Sequence, residues 1–372
     1  MKVLHITTHW QAGGSERNIK HHLECLRDSG HEVSLAVGMP QTSDFGFPLE
    51  VTIHTIPSLC RRPSALRDAR ALRDLKSLLQ RERFDIVHTH LSKAGLLGRL
   101  VARTTGARTW HTVHGPQMLG NALYRSAERS AIGETDRMFF VGHDLHDAYS
   151  RTFSALPESG VIRSPVEIDK FAAVAPADPR AGRIEVLVVT RLVGGKGLER
   201  LPELAGIVPD TVSFTVVGDG PLLARLQTAA GRANLSHRLR FAGYVPDIAR
   251  RMRDAHLLLN LSTLEGLPQV AVQAVAAGRP VVAVAANGVS EVVEDGVTGF
   301  VARPGDIGAI ARHISALAAD RDLLARASRA CLAADLSQWH PATICRLHRE
   351  AIAELLAAPP ARDGYDRACA GA

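Results

Sequence analysis

Arg191 and Lys196 flank the run Leu192-Val193-Gly194-Gly195, and Gly197 follows. Two cations on a glycine-rich turn, at the end of an apolar run and the opening of a helix, suit a diphosphate: the charges neutralise it and free backbone amides donate to it. The next apolar run also ends in a glycine turn, Val217-Gly218-Asp219-Gly220-Pro221. Further on, Leu261-Ser262-Thr263-Leu264-Glu265-Gly266-Leu267-Pro268 sets one acid in a Gly/Pro loop ahead of an apolar helix. Glu265 can accept hydrogen bonds from ligand hydroxyls there, with the amides of Gly266 and Leu267 beside it. Near the N-terminus, Gly13-Gly14-Ser15-Glu16-Arg17 pairs two glycines at a helix start, where the backbone can approach an anion. The G-x-G-x-x-G spacing is missing, so a plain turn is an equal reading.

Histidines cluster in His88-Thr89-His90 and His111-Thr112-Val113-His114-Gly115. Zinc sites show tighter spacing or nearby cysteine and acidic ligands, and neither is evident. The expectation is therefore no metal, with imidazoles lining a polar cleft instead, His114 above all.

These residues sit just after apolar, strand-like runs. Lys2–Thr7, His31–Val37, Asp85–His90, Ala107–Val113 and Met138–Val141 form one series. Ile184–Thr190, Ser213–Val217, Arg238–Ala242, Ala255–Asn260 and Pro280–Val284 form a second. Continuous Val/Ile/Leu runs separated by helical stretches predict an α/β protein of two doubly wound, Rossmann-like domains with parallel sheets buried on both faces. Ligands of such sheets lie beyond the strands' carboxyl ends, which predicts a cleft between two facing domains. The predicted domains are 1–172 and 183–339, with a seam at Val174–Arg183 and a long amphipathic helix at about 340–358 returning to the first domain. The tail 359–372 is expected to fray.

The chain has 372 residues, 46% hydrophobic and 22% charged, which excludes wholesale disorder. Its five scattered cysteines contain no C-x-x-C pair, so neither a disulfide framework nor a zinc knuckle is expected, and a reducing cytoplasm is. The start MKVLHITTHW lacks an export signal, and no run reaches the roughly 18 apolar residues that span a bilayer. Net charge is +6, and Arg61–Arg83 carries eight Arg/Lys against three acids. Leu66, Ala69, Leu72, Leu75, Leu78 and Leu79 recur there at helical spacing, so the charges line the outer face of an amphipathic helix. That face is either plainly solvated or a peripheral contact with an anionic membrane. Nucleic acid is not expected, because no aromatic platform accompanies the charges.

Taken together, Arg191…Lys196-Gly197, Gly218-Asp219-Gly220-Pro221, Phe241-Ala242-Gly243-Tyr244-Val245, Ser262…Glu265-Gly266-Leu267-Pro268, Ala277-Gly278-Arg279-Pro280 and Asp295-Gly296…Thr298-Gly299-Phe300 resemble the GT4 group of retaining, nucleotide-sugar-dependent glycosyltransferases of GT-B fold. The N-terminal Gly13-Gly14, His88-Thr89-His90 and His114-Gly115 fit the same group, and the resemblance runs to about Leu356. It implies that Arg191 and Lys196 clamp the donor diphosphate and that Glu265 contacts the donor sugar, with Gly266 and Leu267 nearby. It further implies that Gly218 and Gly220 shape the donor pocket, Gly13 and Gly14 close over donor or acceptor, and His114 meets the transferring sugar. Ser290 and Glu291 line the donor side. It implies no metal and no cofactor beyond the nucleotide-sugar, a UDP-sugar by default, with a hydroxyl-bearing acceptor that is a glycolipid, polysaccharide or natural product.

One position departs from the group. Where a second glutamate usually grips the ribose, this chain has Gln273. An amide offers one acceptor and one donor group, so the nucleotide preference is open while binding is kept. The alternatives in other classes are a nucleotide-sugar epimerase of the same fold and a catalytically silent partner subunit.

Overall fold

The computed structural model describes residues 1–11, 13–38, 46–175, 177–178 and 182–357. The chain divides into two compact units, Met1–Pro165 with the segment from Pro341, and Val166–His340. The division falls at Pro165/Val166 instead of within Val174–Arg183. The cause is the short helix Ile168–Ala172, which packs on the helix Gln269–Ala276 of the second unit and has Phe171 buried. Four residues of the expected seam, and the tail 359–372, lie outside the described residues.

The N-terminal unit is built on seven strands: β1 (Lys2–Thr7), β2 (Glu32–Val37), β3 (Thr52–Thr55), β4 (Ile86–His90), β5 (Arg108–Val113), β6 (Arg137–Phe140) and β7 (Glu158–Val161). They pair in parallel in the order β3-β2-β1-β4-β5-β6-β7. Successive side chains of a strand point to opposite faces, and both faces are covered here. Val3, Leu35, Ile86, Trp110 and Phe139 pack with Ile19, Leu23, Ile344 and Ile352, from the helices Gly14–Asp28 and Pro341–Ala357. Leu4, Ile6 and Val87 pack on the opposite side with Leu75, Leu79 and Leu97, from the helices Ala65–Glu82 and Ser92–Ala102.

Two expectations change in this unit. Cys25 and Cys345 form a disulfide that ties the two helices of the first face together. Their separation of 320 residues hides the pairing from any spacing argument. On the basic helix, Leu66 is 88% exposed and Ala69 is exposed as well, whereas Ala71, Leu75, Leu78 and Leu79 are buried. The inward face thus starts one and a half turns later than the leucine spacing implied. No described helix is long and apolar enough to cross a membrane.

The C-terminal unit holds β8 (Ile184–Val189), β9 (Val212–Val217), β10 (Leu239–Gly243), β11 (Leu257–Asn260), β12 (Val281–Val284) and β13 (Gly299–Ala302). These are parallel in the order β10-β9-β8-β11-β12-β13. Every residue of β11 and β12 is buried. The order steps outward from β8 in both directions, so the loops after β8, β9, β11 and β12 emerge side by side at the carboxyl edge.

Candidate functional site

Glycines press these four loops together. Gly218, at φ +138°, lies so close to the β8 loop that an added Cβ would sit 1.8 Å from the Thr190 carbonyl oxygen. Gly220 approaches the Leu192 carbonyl in the same manner, and the Leu192 amide donates to Asp219 O at 2.8 Å. Gly197, in the left-handed region, bears on Leu261 O of the β11 loop, while Gly288 after β12 bears on Gly266 and Leu267. No residue with a side chain fits Gly218 without moving backbone. Gly218→Ala is therefore expected to cost about 2–4 kcal/mol in urea unfolding, from φ strain plus the displaced Thr190 carbonyl. A cost below about 0.5 kcal/mol would contradict this packing.

The packing delivers two predicted residues to each other. Lys196 Nζ donates to Glu265 Oε1 at 2.9 Å, with both side chains 18% exposed. An ammonium carries three donors, so one on Glu265 leaves two for an anion. Glu265, with two oxygens, keeps acceptor capacity for hydroxyls. It sits in the loop four residues ahead of the helix Gln269–Ala276, not at its first turn. Arg191 is exposed and makes no ion pair among the described residues, so its guanidinium is free for an anion. The turn after Lys196 enters a single 3₁₀ turn, Leu198–Arg200, before the short helix Leu201–Ile207. Cation side chains therefore supply more of the anion site than a long helix dipole does.

Around this pair, Gly266 and Leu267 are buried, Ser290 is exposed and Glu291 half-buried on the loop that Gly288 seats. Gln273 is 6% exposed on the inner side of its helix. Arg279 proves architectural. It is buried, and its guanidinium donates to the carbonyls of Met252, Ala277 and Ala175, while burial lowers its pKa to about 10.

In the N-terminal unit, Gly13 caps the helix Gly14–Asp28 in an extended conformation. Sequence reasoning passed over the acid beside it. Glu16 is 2% exposed, 3.0 Å from His9 Nε2, and accepts from Ser15 Oγ. Burial works to raise its pKa, but His9 and the hydrogen bonds outweigh it and hold Glu16 below its ordinary value. His114 is half-buried, and burial lowers its pKa to about 4 against the opposing pull of Glu16, so it is neutral at neutral pH.

His88, His90 and His111 do not line a cleft: all three are buried. Their places in the strands explain it, because β4 and β5 are interior strands covered on both faces. His111 packs against Gly95 on one side of the sheet and meets Thr89 Oγ1 at 2.9 Å. His88 and His90 point to the other side, where His5, His22 and His348 join them.

Two parallel α/β units, the second carrying a cation–carboxylate pair on glycine-shaped loops, have the two-domain plan of GT-B proteins. Residues 171–331 match the family model for glycosyl transferases group 1, and residues 12–170 match that for Glycosyltransferase Family 4. The chain is 30% identical over 275 residues to the Escherichia coli UDP-Gal:alpha-D-GlcNAc-diphosphoundecaprenol alpha-1,3-galactosyltransferase, covering 68% of this chain and 71% of that one. It is 29% identical over 324 residues to the Streptomyces kanamyceticus 2-deoxystreptamine glucosyltransferase, covering 76% and 82%. Among solved structures, Anabaena HepE in complex with UDP-glucose superposes with a TM-score of 0.78 at 20% identity, over 95% of this chain and 100% of that one. The chain belongs to the group 1 glycosyltransferases, of GT-B fold.

Proposed function

We propose that the protein transfers a sugar from a UDP-sugar to an acceptor hydroxyl with retained anomeric configuration, and that its C-terminal unit holds the donor. The contact between Lys196 and Glu265 carries this reading. It sets a cation for phosphate against a carboxylate for sugar hydroxyls, and in a nucleoside-diphosphate sugar those two groups are bonded neighbours. UDP and UDP-glucose in HepE, and the UDP-galactose in the name of the E. coli relative, support the donor class.

The reaction breaks the bond between the anomeric carbon and the diphosphate oxygen, where negative charge grows. Lys196, held against Glu265, meets that charge without reorganising, which is how preorganised donors lower a barrier, and the free Arg191 guanidinium adds its own charge. The acceptor oxygen forms its new bond on the same face, and its proton passes to an oxygen of the departing diphosphate. No divalent metal takes part in these steps. Glu265 orients the sugar, and Ser290, Glu291 and Gln273 contribute to the donor side. Gly13, Gly14 and neutral His114 are assigned to the transferring sugar and acceptor.

The basic helix favours an acceptor borne on an anionic membrane. Arg67, Arg70, Arg73 and Lys76 are exposed beside Leu66, while its acids are engaged: Asp68 by Lys93, Asp74 by Ser58 and Glu82 by Lys2. We place the protein in the cytoplasm, at the membrane surface.

Thermal-shift screening with UDP-, GDP-, ADP- and dTDP-sugars tests the donor assignment. A UDP-sugar at about 100 times its Kd is expected to add roughly 2.7 kcal/mol of stability. No shift with any of them contradicts the reading, and conversion of a UDP-sugar to its epimer without an acceptor makes the protein an epimerase.

A further inference from the structure

Five histidines from distant parts of the chain meet inside the N-terminal unit: His5 on β1, His88 and His90 on β4, His22 on the helix Gly14–Asp28 and His348 on the helix Pro341–Ala357. None is more than 2% exposed. Parallel register sets His5 directly beside His88, and the two-residue repeat brings His90 to the same face. The helix above that face lowers His22 onto them, and one nitrogen each from His5, His22, His88 and His90 lie within 4.8 Å of one another.

Hydrogen bonds account for only part of the cluster. His5 Nδ1 pairs with His90 Nε2 at 2.9 Å, His90 Nδ1 with His114 Nε2 at 3.2 Å, and His88 Nε2 with Thr112 Oγ1 at 2.7 Å. Both ring nitrogens of His22, together with His5 Nε2 and His348 Nε2, are buried without a partner. A self-satisfied polar cluster does not leave a whole ring unbonded, because each orphaned group carries its full desolvation penalty. A neutral imidazole carries one ring lone pair that can bind a cation.

We propose that His5, His22, His88 and His90 form a binding site for a late first-row divalent cation, with zinc as the reference ion. Neutral imidazoles suit zinc, copper and nickel, while magnesium and calcium demand oxygen ligands, which this set lacks. Tetrahedral coordination at about 2.0–2.1 Å asks for nitrogen–nitrogen edges near 3.4 Å, so the widest edge of 4.8 Å closes when each ring moves by about 0.7 Å. The ion would satisfy His22 and join β1, β4 and the first helix. The ion is structural and enters no step of sugar transfer, so the site stands independently of the transferase reading.

The test uses the full chain, stripped with EDTA and dialysed against buffered zinc. About one equivalent is expected by elemental analysis, with a melting temperature about 5 °C higher than the stripped chain's. Cobalt substituted for zinc should give the intense visible absorption of a tetrahedral centre. H22Q/H88Q is expected to retain zinc at least 10-fold less tightly, with its UDP affinity unchanged. Retention below about 0.2 equivalents without a thermal shift overturns the proposal, as do a weak octahedral cobalt spectrum or unaltered retention in the variant. Should the variant fail to fold, the cobalt spectrum of the unsubstituted chain decides alone.

Discussion

Lys196→Ala lowers sugar-transfer turnover by at least about 10²-fold, and Arg191→Ala does the same, the scale on which losing one preorganised donor slows a reaction that builds anionic charge. The two losses have different physics. Lys196 is held against Glu265 at 2.9 Å, so its removal deletes the proposed phosphate ligand and also leaves a half-buried carboxylate without its cation. Arg191 is exposed and bound to no other charge among the described residues, so its loss subtracts the second proposed diphosphate ligand without disturbing the fold. Lys196→Arg keeps the charge but replaces three donors on a compact head with a planar fork, and should recover only part of the rate. Initial rates at saturating donor measure all three. Near-normal turnover in both alanine variants would remove the proposed role of the turn.

The second large effect falls on stability. Arg99 and Glu128 are both wholly buried and joined by two hydrogen bonds, of 2.6 and 3.3 Å. Arg99 lies on the helix Ser92–Ala102, where it also donates to Gly95 O, and Glu128 on the helix Ala122–Ile132, so the pair joins the two helices. Glu128→Ala strands a guanidinium in the interior and is expected to cost about 3–5 kcal/mol in urea unfolding. Replacing both partners, as in Arg99→Met with Glu128→Leu, removes the charge together with its desolvation cost and should restore most of the loss. A single-variant cost under about 1 kcal/mol would mean that water reaches the pair.

How much of this was legible in the sequence depended on how far each feature reaches along the chain. Runs such as Val186-Leu187-Val188 and Leu257-Leu258-Leu259 announce buried parallel strands locally, whereas β3 and β7 are four-residue edge strands with polar residues and give no such signal. Arg191, Lys196 and Glu265 were readable because each lies in a loop that follows a buried strand. The meeting of Lys196 with Glu265 depends on Gly197 pressing on Leu261, which no spacing reveals. The histidines were misplaced for the same reason. Spacing grouped His88, His90, His111 and His114, but strand alternation sends His111 to the opposite side of the sheet, parallel register sets His5 beside His88, and the covering helices bring in His22 and His348. Arg279 stood within a motif and could have been taken for a ligand residue, yet its donors all go to main-chain carbonyls. Cys25–Cys345 links residues whose proximity exists only because the last helix returns to the first unit.

Calorimetric titration of uridine, UMP and UDP into the full chain and into its Arg191→Ala and Lys196→Ala variants bears most directly on the pyrophosphate grip. The expected result is affinity that rises with each phosphate in the unsubstituted chain. In both variants UDP should lose at least about 10-fold, worth about 1.4 kcal/mol, while uridine is unchanged. UDP binding of equal strength in all three proteins would contradict it.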